Sequence, residues 1–227
     1  MSINFENLIL YEDNHLLVVH KPAKLLSQKD NTKDIDVVSL TKDYLISKYQ
    51  KRGDAYVGLV HRLDRMTEGV MVLTKTSKAA SRLSNDIVNN NWHKTYLCLV
   101  EGIIEKDSRL LDYLDHDSNT KKMKIVKVGT GQKAELEYSV VAHFKDKTLL
   151  KVNLITGRHH QIRVQMANFK HPIVGDSLYG VNKFKHDLML ACIEIRFKHP
   201  TLDKVIDIKS LPKSKKWKKY LKNIEVE

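Results

Sequence analysis

Residues 60–74 read Val-His-Arg-Leu-Asp-Arg-Met-Thr-Glu-Gly-Val-Met-Val-Leu-Thr. The carboxylate of Asp64 lies between two arginines in this stretch, and nearby positive charge favours its ionised form. An ionised carboxylate in a fixed position can act as a nucleophile or as a base. Apolar residues precede the motif at positions 59–60, and an apolar run with β-branched members follows it at positions 70–73, as in a buried strand. We therefore expect Asp64 on a turn between two strands, although the tetrapeptide alone fits an ordinary charged turn equally well.

Hydrophobic periodicity in the rest of the chain predicts more strands than helices. Strands are expected at 16–19, 70–74, 94–100, 133–144, 148–155 and 188–197. Helices are expected from Asp34 or Asp36 to about Lys48, from an N-cap at Ser77 to Ile87, and after Gly157, with Ile162, Met166 and Phe169 on one face. Several strands follow one another without a helix between them. This order favours an α+β fold with a central mixed or mostly antiparallel sheet flanked by helices.

Two patterns suggest cofactor sites but are better explained otherwise. Residues 129–134 read Gly-Thr-Gly-Gln-Lys-Ala and mimic a dinucleotide-binding loop, which must open a helix. Here a β pattern follows, so we expect a glycine hairpin. The eleven histidines lack metal-ligand spacing, and His159 and His160 are adjacent and would point apart on a helix. No metal site is expected.

Positive charge is concentrated near the C-terminus. Residues 209–222 hold seven lysines and no acid, and removing these seven charges from the formal total of +12 leaves +5 for the rest of the chain. Clustered lysines attract polyanions, and the interleaved Trp217 and Tyr220 could stack on bases. Alternatively, Trp217, Tyr220 and Leu221 pack on the core while the lysines face water. Binding of a polyanion by this segment and packing of its apolar residues on the core are compatible.

The remaining composition indicates a reduced cellular compartment. Cys98 and Cys192 are the only cysteines and lie in apolar surroundings, so we expect buried free thiols. The sequence shows no signal-peptide pattern and no apolar run of membrane-spanning length. We expect a cytoplasmic protein without a membrane association.

The motif around Asp64 is one of six short motifs along the chain. They are Leu-Val-Val-His-Lys-Pro-Ala at 17–23, the Asp64 motif at 61–69, Lys-Thr-Tyr at 94–96, Gly-Arg-His-His-Gln-Ile-Arg at 157–163, His-Pro-Ile-Val-Gly-Asp-Ser-Leu-Tyr-Gly at 171–180 and Phe-Lys-His-Pro at 197–200. In order and spacing the set resembles the RluA family of RNA pseudouridine synthases. The resemblance covers roughly residues 8–212.

The resemblance implies an isomerase that converts uridine to pseudouridine in RNA and needs no cofactor. It implies the pseudouridine synthase catalytic fold over residues 1–212, followed by a basic C-terminal tail at 213–227. Many relatives carry an S4-type RNA-binding domain before the catalytic one, and we expect none here. The expected partner is ribosomal or transfer RNA, and we expect a monomer without an obligate protein partner.

The resemblance also implies roles for single residues. Asp64 is the catalytic carboxylate, which either attacks C1′ or removes a ribose proton. Tyr96 stacks on the target uracil and accepts a proton later, and Arg163 pairs with the catalytic carboxylate. Ile162 is a wall of the pocket, and Arg62 fills the gap left by the flipped nucleotide.

Three further residues are candidates for RNA contacts. Arg158, at a helix start, either holds phosphate or makes a structural bond to Asp176. His61 and His160 are expected to order backbone or phosphate groups near the site.

The chain departs from the family pattern at five positions: Glu68, His159, Gln165, Lys170 and Ala191. Glu68 adds a second carboxylate that either tunes the site or faces solvent, and we expect it to face solvent. The other departures put RNA contacts, rather than the chemistry, in question.

Three other classes compete with this hypothesis. A glycoside hydrolase normally needs a matched acid and base, and Asp64 with Glu68 is a weak pair. A noncatalytic RNA-binding module has no reason to keep Asp64, Tyr96 and Arg163 together. An interaction scaffold explains none of the motifs.

Overall fold

A computed structural model describes residues 3–120, 122–181 and 187–222. In chain order its strands are β1 (Ile9–Glu12), β2 (Leu16–Lys21), β3 (Gly58–Leu59), β4 (Glu68–Thr74), β5 (His93–Glu101), β6 (Ser108–Asp117), β7 (Lys122–Val126), β8 (Gln132–Phe144), β9 (Lys147–Leu154), β10 (Leu190–Lys198) and β11 (Val205–Lys209). The helices are α1 (Val37–Tyr49), α2 (Ser77–Val88), α3 (Gln161–Asn168) and α4 (Lys218–Leu221). The predicted α+β class is confirmed.

The chain divides into two compact units. The first comprises Met1–Trp92 and Cys192–Pro212, and the second comprises His93–Ala191 and Lys213–Glu227. The boundary predicted before residue 213 is also the point where the chain passes back into the second unit. That residues 1–212 work as one catalytic domain stays a prediction.

The first unit contains the strands on either side of Asp64. Its strands lie in the order β1-β2-β4-β10, with β3 paired to β4 and β11 paired to β10. Every residue of β2 and of β4 is buried, and α2 packs on β3 and β4 through its buried Ala79 and Leu83. The loop between β3 and β4 carries Asp64, which confirms the predicted turn between two strands.

The two longer helices of the first unit begin with side-chain caps. Asp36 caps α1 by accepting a hydrogen bond from the backbone N–H of Ser39, which decides between the two candidate caps. The N-cap of α2 is Thr76, whose hydroxyl accepts from the N–H of Ala79. The prediction of Ser77 as the cap was wrong by one residue, because Thr76 is the extended residue whose side chain reaches the first turn.

The second unit is built on antiparallel strands in the order β5-β9-β8-β6-β7. Residues 94–100 of β5 are all buried, as their two apolar faces predicted. Helix α3 packs on β6 and β7, and its Val164 joins Leu114 and Ala134 in a small core cluster. This cluster fixes the helix that carries Arg163.

The glycine-rich segment at 129–134 leads into β8 and not into a helix, as predicted. The expected hairpin was wrong, because β6 lies between β7 and β8 and pairs with both of them. Gly131 has a φ of +75°, and a β-carbon there would overlap the carbonyl oxygen of Leu114, the last residue of β6 that pairs with β8. Glycine thus lets the chain pass β6 at close range as it enters β8.

Both cysteines are buried free thiols, as predicted. Burial raises the pKa of the Cys98 thiol, and the nearby negative charge of Asp176 raises it further. None of the helices in the described residues is both long enough and apolar enough to span a bilayer.

Gly69 is the position in β4 where we expect substitution to be most damaging. Its φ is +125°, and a β-carbon would overlap the backbone carbonyl of Cys192 in β10. We predict that Gly69→Ala costs more than about 3 kcal/mol, with about 1–3 kcal/mol from strain in a sparsely populated backbone region and the rest from overpacking. Thermal and urea unfolding measure the loss.

Gly129→Ala is the matched control. Gly129 also has a positive φ, +83°, but no atom lies within 4 Å of the position of its β-carbon. Its loss should be about 1–2 kcal/mol, from strain alone. Equal losses for the two variants would show that the contact between β4 and β10 is not tight at Gly69.

Candidate active site

Asp64 lies on a short loop, residues 61–67, that leaves β3 and enters β4. The loop is closed by a hydrogen bond from the N–H of Thr67 to the carbonyl of Asp64, at 3.0 Å. Leu63 is 5% exposed, whereas Asp64 is partly exposed. The apolar neighbour thus anchors the loop, and Asp64 stays partly accessible.

Two buried polar side chains hold this loop from outside. The ammonium of Lys21, fully buried at the end of β2, donates to the carbonyls of Leu25 at 2.8 Å and of Arg65 at 3.2 Å. The hydroxyl of Ser27 donates to the carbonyl of Leu63 at 2.6 Å and accepts from its N–H at 3.2 Å. The backbone on both sides of Asp64 is therefore fixed by groups that are shielded from water.

His61 binds a backbone group of β4, and its predicted contact with RNA stays a prediction. Its Nε2 accepts a hydrogen bond from the N–H of Val72 at 2.9 Å, which assigns the ring proton of a neutral imidazole to Nδ1. The edge of the ring meets Trp92, whose indole stacks on Phe197 with centroids 4.5 Å apart. These contacts tie the start of the Asp64 loop to β4 and to the stacked rings of Trp92 and Phe197.

The two arginines beside Asp64 differ in their surroundings. Arg62 is exposed, which is compatible with its predicted contact to RNA. Arg65 forms an ion pair with Asp34 at 2.7 Å. The two positive charges are therefore not equivalent around Asp64.

Glu68 does not face solvent, and that expectation was wrong. It is the first residue of β4, it is 1% exposed, and its carboxylate lies 3.6 Å from Nε2 of His20. The Nδ1 atom of His20 is in turn 2.9 Å from the hydroxyl of Ser210. The strand begins before the apolar run, and all of its residues are buried, so Glu68 lies in the interior with them.

The second unit carries the other predicted site residues. Tyr96 lies on β5 opposite Val152 and is 7% exposed. Ile162 and Arg163 lie in the first turn of α3 and are 4% and 6% exposed. A guanidinium at this depth needs a fixed negative partner, because burying a charge without compensation is costly.

Asp176 is such a partner. Arg163 donates from Nε to Oδ2 at 2.8 Å and from Nη2 to Oδ1 at 2.9 Å, a two-pronged ion pair. Burial by itself would raise the pKa of Asp176, but the hydrogen bonds and charge of Arg163, with the N–H groups of Leu178 and Tyr179, lower it. The pair uses two of the five guanidinium N–H donors, so Arg163 can be held by Asp176 and still donate elsewhere. Its predicted pairing with Asp64 stays a prediction.

Tyr179 connects Arg163 to His160. Its ring centroid lies 5.4 Å from the guanidinium carbon of Arg163, and its hydroxyl accepts from the N–H of Met123 at 3.0 Å. The same hydroxyl lies 3.1 Å from Nδ1 of His160. One aromatic side chain thus packs against the cation and orients the histidine.

The two adjacent histidines do not point apart, contrary to expectation. The rings of His159 and His160 stack, with centroids 3.9 Å apart. They precede α3, and His160 has a left-handed backbone with a φ of +52°, so helical geometry does not separate them. A residue other than glycine in this conformation is strained, and such strain is concentrated at functional sites.

Arg158 was also misplaced. The helix begins at Gln161, three residues later, and the Nε of Arg158 donates to the carbonyl of Lys133 at 3.0 Å. The alternative bond to Asp176 is wrong as well, because that carboxylate binds Arg163. A contact between the exposed Arg158 and phosphate stays a prediction.

Two of the departures from the family pattern are interior. Gln165 and Ala191 are both fully buried, and Nε2 of Gln165 donates to Asp112 at 2.8 Å. Their side chains pack inside the protein, and an effect of these two departures on RNA contacts stays a prediction. His159 and Lys170 are exposed.

The predicted site residues thus form two groups, one in each unit. Sequence reasoning missed the residues that hold them, namely Lys21, Ser27, Asp176 and Tyr179. For Lys21 a signal existed, since a lysine directly after a buried apolar strand needs its own acceptors. For Asp176 and Tyr179 the only signal was that both lie in the motif at 171–180.

Comparison with known proteins agrees with these motifs. The family model described as RNA pseudouridylate synthase matches residues 15–168. The dual-specificity RNA pseudouridine synthase RluA of Yersinia pestis is 35% identical over 175 residues, which cover 76% of this chain and 82% of that protein. The chain belongs to the RluA family of RNA pseudouridylate synthases. Enzymes of this family are isomerases that convert uridine to pseudouridine in RNA.

Other members of the family are similar along most of the chain. The ribosomal large subunit pseudouridine synthase D of Zymomonas mobilis subsp. mobilis is 32% identical over 216 residues, covering 88% of this chain and 67% of that protein. The match covers about half, 49–52%, of several longer D-type relatives. The structure of human RNA pseudouridylate synthase domain containing 4 has the same fold, with a TM-score of 0.77, 19% identity and coverage of 96% of this chain and 93% of that one.

We predict strong energetic coupling between Arg163 and Asp176. Arg163→Met leaves a buried carboxylate without its cation, and Asp176→Asn leaves the buried guanidinium without its anion, so each should cost about 3–5 kcal/mol. The double variant should cost much less than the sum, because both charges are gone. Since the pKa of Asp176 is lowered, this stabilisation is present at neutral pH and is lost only as the pH falls through the lowered value.

Urea unfolding at neutral pH of both single variants and the double variant measures the coupling. The control cycle uses the pair Lys42–Asp54, in which the side chains are 35% and 71% exposed, with Lys42→Met and Asp54→Asn. Its coupling should stay below about 1 kcal/mol. Additive losses at Arg163 and Asp176 would contradict the ion pair as the basis of their arrangement.

Proposed function

We propose that this chain isomerises uridines in structured ribosomal or transfer RNA, with Asp64 as the catalytic carboxylate. The observation that carries the proposal is the placement of Asp64, a partly exposed residue on a loop whose backbone is fixed on both sides by buried groups. Catalysis requires a reactive group to be held in place before the substrate arrives. The names of the relatives support the substrate class, since one acts on the large ribosomal subunit and another is described as having dual specificity.

The reaction breaks the bond between N1 of uracil and C1′ of ribose and forms a bond between C5 and C1′. The hydrogen on C5 leaves as a proton, and N1 gains a proton, so no electrons are transferred to an outside acceptor. Asp64 has two routes to the first step: it attacks C1′, or it removes a ribose proton. Flipping the nucleotide out of its stack costs a few kcal/mol, and less in loops. Uridines in loops are the expected targets.

The other site residues take the roles that the family implies. Tyr96 stacks on the detached uracil and accepts a proton later, and Ile162 forms an apolar wall beside it. Arg163 pairs with Asp64 and keeps the carboxylate ionised and oriented. Arg62 fills the space that the flipped nucleotide leaves.

Three basic residues belong to RNA recognition in this proposal. His61 ties the start of the Asp64 loop to β4 and so holds the loop in place for RNA, while Arg158 and His160 contact phosphate. The exposure of Arg158 supports this role. The enzyme acts as a cytoplasmic monomer without a cofactor or an obligate protein partner.

Asp64→Asn should abolish isomerisation while leaving thermal stability and RNA affinity close to those of the parent. Asparagine matches the shape of aspartate but supplies neither a nucleophile nor a base, so only the chemical step is lost. Single-turnover conversion of an unmodified ribosomal or transfer RNA measures the rate, beside thermal melting and filter binding. Asp43→Asn, at an exposed position on α1, is the control and should keep the parent rate.

Two results would count against the proposal. Appreciable turnover by Asp64→Asn would remove Asp64 from the chemistry. Loss of RNA binding or of folding in that variant would make Asp64 structural, and a noncatalytic RNA-binding module would then explain the chain better.

A further inference from the structure

The last described segment of the chain, residues 213–222, buries its aromatic residues and exposes most of its lysines. A 3₁₀ turn at Lys215–Trp217 runs into the single turn of α4. Trp217 is fully buried and Tyr220 is 8% exposed. The edge of the Tyr220 ring meets Phe144 of β8 at a centroid distance of 5.0 Å. The segment therefore packs its aromatic side on the second unit.

A hydrogen bond to the backbone adds to this packing. The ammonium of Lys216, which is partly buried, donates to the carbonyl of Leu188 at 2.7 Å. Together with Trp217 it fixes the segment in one position. Lys216 is thus a structural residue, unlike its neighbours.

Four lysines at positions 215–222 are exposed, and the ammonium of one of them, Lys219, also lies 4.6 Å from the centroid of the Tyr220 ring. We call them the lysine surface: Lys215, Lys218, Lys219 and Lys222. No acidic residue occurs between positions 209 and 222, and the nearest acids in the sequence on either side are Asp207 and Glu225. By contrast, Lys147 of β9 pairs with Glu101 and Asp146. The lysine surface is a local concentration of positive charge presented by a fixed segment.

The burial of the aromatic residues decides what this surface can recognise. Stacking on bases needs exposed rings, and neither Trp217 nor Tyr220 is available for it. Lysine ammonium groups act as point charges that suit phosphate oxygens. The surface is therefore suited to a polyanion backbone and not to base edges.

We propose that the lysine surface binds the phosphate backbone of the RNA substrate and adds affinity that does not depend on sequence. The inference rests on the proposed function, which supplies RNA as the polyanion, and it extends that function to a region outside the catalytic motifs. Because each neutralised phosphate releases bound counterions, the contribution must weaken as salt rises. It should act on binding and not on the chemical step.

The test replaces Lys215, Lys218, Lys219 and Lys222 with glutamine and leaves Lys216, Trp217 and Tyr220 in place. Truncation is unsuitable, because it would remove buried side chains. A matched control replaces Lys29, Lys33, Lys106 and Lys198 with glutamine. These lysines are exposed, and each is adjacent in sequence to an acid or, for Lys198, paired with Asp203. Both variants have the same net charge.

Filter binding to a structured RNA over a range of salt concentrations, with single-turnover rates at saturating RNA, gives the readout. The lysine-surface variant should bind about tenfold or more weakly at low salt, and its slope of log affinity against log salt should fall by about 3. Its rate at saturation should match the parent. The control should change affinity by less than about twofold.

An unchanged salt slope in a folded variant would overturn the inference and leave the surface with a solubilising role. Equal effects of the two variants on RNA binding would also overturn the inference. Binding to anionic lipid vesicles that depends on the four lysines, with unchanged RNA affinity, would overturn it as well. If the fourfold variant does not fold, Lys218→Gln with Lys222→Gln decides the question through about half the slope change. Failure of the proposed function looks different: the parent would not isomerise uridine, while the lysine-dependent slope would persist.

Discussion

A buried ammonium group is the constraint on which the candidate catalytic loop depends. Lys21 ends a strand whose residues are all buried, and its Nζ has no exposure to water. Leaving such a charge without acceptors would cost several kcal/mol, so the chain must bring carbonyl groups to it. Two of these carbonyls belong to Leu25 and Arg65. The requirement of one cation thereby fixes the backbone next to Asp64.

The second unit also buries a cation, but it satisfies this cation with a carboxylate and not with carbonyl groups. Arg163 is buried in the first turn of α3, and Asp176 satisfies it with a two-pronged ion pair that Tyr179 covers on one side. Ion pairs of this depth contribute little net stability compared with apolar packing, but they are costly to break. Here the ion pair orients Arg163. A guanidinium with two of its N–H donors fixed by Asp176 can direct its other donors at a substrate or a carboxylate.

Several features of the fold and site could be predicted because their signal is local. Asp64 on a turn and the buried β5 both follow from residues close together in sequence. Other features depend on partners far along the chain. The burial of Glu68 requires His20 in another strand, and the failure of the expected hairpin at Gly129 requires β6 to pair with strands on both sides. Strand β6 itself escaped prediction because its residues are mostly exposed or only partly buried.

The most direct test of the account follows the hydrogen on C5 of the target uracil. RNA carrying tritium at C5 of its uridines is incubated with the purified chain, and tritium in water is counted against pseudouridine in the RNA. Since C5 exchanges its hydrogen for the bond to C1′, we predict one tritium released for each pseudouridine formed. No release by a folded protein that binds the RNA, or labelled free uracil in place of tritiated water, would contradict the account.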